Sequence, residues 1–157
     1  MNKIDAGQTL SLLANVGVIL GILLLVYELN QNTAAMQGDT YQALLGSVTN
    51  ISIAVAQDAD LDRIVSIGNS RPTELGDEDW SRYRNYKLGQ VWQFGYAYLA
   101  YDRGEMNESQ WSAIVPAFSL LVCEPGFQRW WSELGSAVSA ADFGEYVRDK
   151  MSTCEVQ

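Results

Sequence analysis

The sequence predicts an all-α protein in which a single N-terminal transmembrane helix is followed by an antiparallel helical bundle. Two observations lead to this fold class. Residues 10–27 form an almost wholly apolar run inside a charge-free window that begins at Ala6. Beyond that run, apolar residues recur at three- and four-residue steps, as they do on helices, and no long alternating pattern typical of a strand occurs. We therefore expect a leader at 1–9, a transmembrane helix at 10–29 and a helical domain at 30–157.

The apolar run has the length and the hydrophobicity of a membrane span. As a helix it would cover about 27 Å, close to the hydrocarbon core of a bilayer, which is about 30 Å thick. Its twelve Leu, Ile and Val residues together favour insertion by about 4–7 kcal/mol. A cleaved signal peptide and a buried core helix are the alternatives. A signal peptide normally has a shorter apolar core and a basic leader, so the sequence favours an anchor.

One face of the predicted span carries small residues. Ala14, Gly17 and Gly21 fall on the same side of a helix that turns about 100° per residue. Small residues let helix backbones approach closely in lipid, so this face predicts packing against a second helix, either in a homodimer or in a larger membrane protein complex. The alternative is that these glycines simply face membrane lipid.

Caps and turns divide the rest of the chain. No proline separates the span from residues 33–57, so the two segments are compatible with one long helix that ends at Asp58–Asp60. A short helix at 61–67 should then stop at Gly68, before a loop and a helix from Asp77 to about Arg103. The middle of that helix, 91–101, is apolar nearly all round, which predicts that neighbours enclose it in an aromatic core. A pocket for a planar or apolar ligand is the alternative.

The C-terminal part predicts three further helices. Asn107 with Gln110 resembles a capping box, and the helix that it begins should be kinked at Pro116. Pro125-Gly126 predicts a turn. The remaining expectations are a short helix at 127–134, a cap formed by Ser139 with Asp142, and a last helix that ends near Met151.

Composition excludes several kinds of chemistry. The chain has no histidine, which removes histidine-based acid–base catalysis, metal ligation and haem ligation. Its net charge of −9 argues against nucleic acid as a partner. Cys123 and Cys154 have no zinc-site spacing, and without a histidine neither thiol has the usual activating base. We therefore expect no metal, no cofactor and no catalytic residue. The two thiols would be able to pair in an oxidising compartment, and they could equally remain apart.

Four motifs, taken in order, resemble a family of small uncharacterised proteobacterial proteins. They are Gln31-Asn32-Thr33, the Gly104–Trp111 segment, the Pro125–Trp131 segment and Phe143–Val147. The resemblance covers most of the chain and implies a membrane helix followed by a helical domain. It implies no activity, cofactor or catalytic residue. A basic residue often precedes Gln-Asn-Thr in that family, where this chain has Asn30.

These observations favour a non-catalytic, single-pass protein of the bacterial inner membrane that serves as an accessory, scaffold or interaction component. Lys3 is the only Lys or Arg before Arg63, so the positive-inside rule favours a cytoplasmic N-terminus. The alternative function is a membrane-anchored domain that binds a small molecule or uses carboxylates in catalysis.

The segment around the two adjacent tryptophans is the candidate interaction surface. Adjacent residues cannot face the same way on a helix, so we expect Trp130 in the core and Trp131 at a partly wet rim. The residues of the candidate surface are Trp131, Arg129, Glu124 and Glu133. The competing interpretation is a solvated charged rim around a half-buried tryptophan pair.

Overall fold

The computed structural model describes residues 6–154, and within that range it is all-helical, without a strand. The bounds of the helices are α1 Ala6–Gln57, α2 Ala59–Ser70, a 3₁₀ turn at Pro72–Glu74, α3 Asp77–Asp102, α4 Glu108–Val122, α5 Pro125–Trp130, a π-helical turn at Trp131–Gly135, α6 Ser136–Val138 and α7 Ala141–Ser152.

Helix α1 runs through 52 residues without a break, which corresponds to about 78 Å at 1.5 Å per residue. The compatibility of the span with one long helix up to Asp58 is therefore confirmed. The boundary expected between residues 29 and 30 falls inside α1, and the helix is continuous there. Every large apolar side chain from Leu10 to Leu29 is exposed, and this helix is long and apolar enough to cross a membrane.

The distal half of α1 is packed on the rest of the chain. Gln37 Nε2 donates to the Gly104 carbonyl oxygen at 2.9 Å, and Gln93 Nε2 donates to Ser47 Oγ at 2.6 Å. Gln37 comes before Ser47 in α1, whereas Gly104, just after α3, comes after Gln93 in α3, so the two helices run in opposite directions. Leu44 is 5% exposed and belongs to a small core cluster with Ala97, Ala100, Met106 and Trp111.

Three predicted helix boundaries, at Asp58–Asp60, near Arg103 and at Asn107, are confirmed. Asp58 caps α2, because its Oδ1 accepts hydrogen bonds from the backbone N–H groups of Asp60 and Leu61. Gly104 ends α3 in the left-handed region at φ 73°, a conformation that glycine adopts without steric cost. Asn107 and Gln110 form both hydrogen bonds of a capping box at the start of α4.

Two other expected ends are wrong. Gly68 does not stop α2, which continues to Ser70; the missing side chain serves packing, since a Cβ there would lie 2.3 Å from the Tyr83 ring. Ser139 does not cap the last helix. Its hydroxyl donates back to the Gly135 carbonyl oxygen at 2.7 Å, so the cap position falls to Ala140, whose side chain makes no capping bond.

The main core brings α2, α3, α4, α5 and α7 together around aromatic side chains, including Tyr83, Phe118, Phe127 and Phe143. The sequence predicts that neighbours enclose the middle of α3 on all sides, and this prediction is wrong for one face. Trp92 is 60% exposed and Tyr96 is 49% exposed, because α1 covers a neighbouring face of α3 and leaves this one open. Pro116 lies inside α4, which continues past it to Val122.

A disulfide bond joins Cys123 to Cys154, with 5.4 Å between the two Cα atoms. Of the two arrangements left open by the sequence, paired or separate thiols, the structure has the paired one. Cys123 follows α4 and Cys154 follows α7, so the bond fastens the end of the last helix to the end of α4. The two cysteines are separated by 31 positions in the sequence, and the segment between them includes α5, α6 and α7.

Candidate interaction surfaces

The small-residue face of α1 is open. Ala14 is exposed, and a Cβ atom added at Gly17 or at Gly21 would meet nothing within 4 Å. No other part of residues 6–154 covers this face. The face is therefore available to lipid or to a second helix, as a packing surface must be.

The tryptophan pair departs from its predicted arrangement. Trp130 is in the core, as expected, with 0% exposure and its indole N–H donated to the Arg84 carbonyl oxygen at 3.0 Å. Trp131 is also buried, at 8% exposure, so its expected position on a wet rim is wrong. The wider π-helical turn places its ring over Gly135, where a Cβ would lie 2.3 Å from the ring, and beside Phe127 at 5.8 Å between centroids.

Two of the other predicted surface residues belong to one network. Arg129 lies over the Trp80 ring, with its Cζ 3.9 Å from the ring centroid, and its Nε forms an ion pair with Glu133 at 3.1 Å. Glu133 in turn accepts the Trp80 indole N–H at 3.1 Å. Arg129 also donates to the Pro72 carbonyl oxygen at 2.7 Å. These bonds hold the C-terminal part of the chain to Trp80 of α3 and to the 3₁₀ turn at Pro72, so the two charged side chains have a structural role.

Glu124 has a different partner from Arg129 and Glu133. Its Oε2 accepts from Lys87 Nζ at 2.6 Å, and Lys87 is 0% exposed while Glu124 is partly exposed. The ammonium also lies 5.4 Å and 5.5 Å from the ring centroids of Tyr83 and Tyr86. The structure therefore does not bring the four predicted surface residues into one site.

Burial governs the titration of this cluster. It lowers the pKa of Lys87, and the neighbouring Glu124 carboxylate opposes that shift. Burial, with a contribution from the Glu124 charge, raises the pKa of Tyr86 to about 12 and raises that of Tyr83 further. The pair therefore links α3 to Glu124, the residue that precedes α5, with the ammonium buried and the carboxylate partly exposed.

Sequence reasoning missed this pair. Lys87 lies 37 residues before Glu124, and no local pattern links them. The one available signal is that Lys87 falls four residues after Tyr83, on the face of α3 that carries the aromatic side chains. A lysine in that position must either reach solvent or find an anion in the core.

Helices α2 and α5 cross at a contact between two glycines. A Cβ at Gly126 would lie 1.9 Å from the Gly68 carbonyl oxygen and 2.3 Å from the Tyr83 hydroxyl. The Tyr83 hydroxyl donates to Asn69 Oδ1 at 2.9 Å. The absence of a side chain at Gly126 therefore lets α5 approach α2, whereas the absence of one at Gly68 makes room for the Tyr83 ring.

Open clefts flank the line where α1 meets α3. The first cleft, of about 420 Å³, lies between Ala43 of α1 and the exposed Trp92 and Tyr96 of α3. The second, of about 380 Å³, lies between Val55 of α1 and Arg82 and Tyr86 of α3. Their linings are mostly apolar. The charged side chain on their walls is Arg82, which is paired with Asp58 and Asp60. Among the described residues that line the two clefts, Ser47 and Gln93 are hydrogen-bonded to each other and Arg82 is ion-paired. A specific small-molecule site needs converging polar groups that are free to bind the ligand.

Within residues 6–154 there is no group of three or more acidic or cysteine side chains placed to hold a metal ion. Comparison of the chain with known protein families, curated proteins and solved structures finds no match.

Proposed function

We propose that this protein is a non-catalytic, single-pass protein of the bacterial inner membrane, with a helical bundle that stands outside the cytoplasm and serves as an interaction or scaffold module. The observation that carries the proposal is the complete exposure of the apolar half of α1. A core helix would bury these side chains, whereas residues 10–29 bury none of them against the chain. Transfer of this surface into lipid removes it from water.

The continuity of α1 sets the distance between the bilayer and the domain. If the hydrocarbon edge lies near Leu29, the first contact with the domain, at Gln37, is eight residues further along, or about 12 Å. The domain would then stand beyond the edge of the hydrocarbon on a rigid helical stalk. The tryptophan pair lies at the opposite end of α3, near Trp80, which argues against a role for Trp131 in the headgroup layer.

The Cys123–Cys154 bond supports the location of the domain outside the cytoplasm, because disulfides form and persist in oxidising compartments. This agrees with the orientation that Lys3 favours by the positive-inside rule. Lys3 itself lies outside the described residues.

The alternative, a ligand-binding or catalytic domain, has less support. Its candidate acids are engaged in the fold: Glu133 binds Arg129 and Trp80, and Glu124 binds the buried Lys87. The clefts beside α1 are apolar and open. An exposed apolar surface that continues from the anchor favours an interaction module instead.

A pair of reporter fusions tests the orientation. Alkaline phosphatase, which is active outside the cytoplasm, is fused after Gln157 in one strain, and a reporter that is active in the cytoplasm is fused there in another. High phosphatase activity with no cytoplasmic reporter activity is expected. The reverse pattern would contradict the proposed location of the domain.

A further inference from the structure

The outer face of α1 continues without interruption from the membrane segment into the stalk. Gly17, Glu28 and Asp39 follow one another at intervals of 11 residues, which is about three turns of helix at 3.6 residues per turn. Leu44, which packs on the domain, lies about 180° around the helix from Gly17. The face that carries Gly17, Glu28 and Asp39 therefore points away from the domain.

Two carboxylates stand free on this face. Glu28 and Asp39 are exposed, and neither forms an ion pair with any residue in the described range 6–154. Helix α1 contains no Lys or Arg, so nothing on the same helix neutralises them.

This charge pattern decides between the occupants of the face. In a parallel dimer of two copies, Glu28 would lie beside Glu28 and Asp39 beside Asp39, with no basic residue on either helix to offset the repulsion. Anionic headgroups would be repelled for the same reason. A helix that offers Lys or Arg at these levels would instead gain complementary contacts at both of them.

We propose that this face, with Ala14, Gly17 and Gly21 in the bilayer and Glu28 and Asp39 outside it, binds the transmembrane helix of a different protein. That helix carries Lys or Arg in its first three turns beyond the bilayer, on the same side as Glu28. The small residues allow close backbone approach in lipid, and the carboxylates select the partner by charge. The inference rests on the proposed function, since it requires α1 to be in a membrane.

Energy transfer in vesicles tests the proposal. Donor-labelled full-length protein is reconstituted in phosphatidylcholine vesicles with acceptor-labelled synthetic spans that carry a small-xxx-small motif. One span has three lysines just outside the bilayer, and the matched span has three glutamates. The basic span should bind about fivefold more tightly than the acidic one, as expected for two exposed ion pairs.

Variants then locate the preference. It should disappear in the double variant Glu28→Gln/Asp39→Asn and reverse in Glu28→Lys/Asp39→Lys. The control is Asp62→Asn, which removes an exposed charge on α2 and changes the net charge without touching the face. That control should keep the full preference for the basic span.

Three results would overturn the proposal. The first is equal binding of the two spans, and the second is a preference that survives neutralisation of Glu28 and Asp39. The third is stronger energy transfer between labelled copies of the protein than with the basic span, which would make a second copy the occupant. A separate measurement tests the proposed function itself: the vesicles are washed at alkaline pH and sedimented. Wild-type protein released into the supernatant would contradict the proposed function.

Discussion

Removal of the Cys123–Cys154 bond is expected to destabilise the helical domain strongly. The bond closes a loop of 31 residues that contains α5, α6 and α7. In the loop-entropy model a crosslink over that separation disfavours the unfolded chain by about 3.7 kcal/mol at 25 °C. For a domain of this size, such a loss corresponds to a fall in the midpoint of thermal unfolding of about 10–20 °C.

The assay is thermal unfolding of the full-length protein in detergent micelles, followed by tryptophan fluorescence. Trp130 and Trp131 are buried, so their emission should report loss of the core. The double variant Cys123→Ser/Cys154→Ser and the reduced wild-type protein should unfold at the same lowered temperature. Reduction of the double variant should change nothing, which controls for effects of the reductant.

An unchanged midpoint after reduction would refute this reasoning. Labelling of free thiols in the freshly purified protein would do so more directly, since it would mean that the bond does not form. Either result would also remove the support that the disulfide gives to a domain outside the cytoplasm.

Three further changes test the packing and titration of the domain. Trp131→Ala should cost about 3–5 kcal/mol in urea unfolding, as much as Trp130→Ala, because both rings are buried; a cost below about 1 kcal/mol would return Trp131 to the rim. Gly126→Ala should cost about 3 kcal/mol or more, since its Cβ would overlap the Gly68 carbonyl oxygen, and wild-type stability would contradict that close approach. Burial raises the pKa of Tyr86 from 10 to about 12, so its neutral phenol stabilises the fold fully below pH 10, and this contribution is lost as the pH rises from 10 to 12. Alkaline unfolding should therefore be less steep over that interval in Tyr86→Phe; an identical profile would show that the phenol is not buried.

Local signals in the sequence were sufficient for the long elements and most of their ends. The uninterrupted length of α1, the Asp58 cap and the Asn107–Gln110 capping box each depend on residues within one or two turns of each other. At helix ends the capping side chain bonds a backbone N–H group two or three residues away, so the residue types that form a cap can be recognised in the sequence.

The errors arise where a contact between distant elements overrides a local preference. The sequence predicts that Gly68 stops a helix, but α2 continues past it, and its missing side chain makes room for Tyr83 from α3. Trp131 reads as a rim residue on a regular helix, but a π-helical turn rotates it into the core. Lys87 finds its carboxylate partner 37 residues away, which no periodicity encodes.

The membrane location of α1 is the central claim, and extraction of membranes with alkaline carbonate tests it most directly. The wild-type protein should remain in the pellet, whereas Leu20→Arg, which places a charge at the centre of the span, should weaken insertion by about 3 kcal/mol and shift protein to the supernatant. The matched control is Leu120→Arg, at a position on α4 that is 77% exposed, and it should stay in the pellet like the wild type. Wild-type protein found wholly in the supernatant would contradict the account.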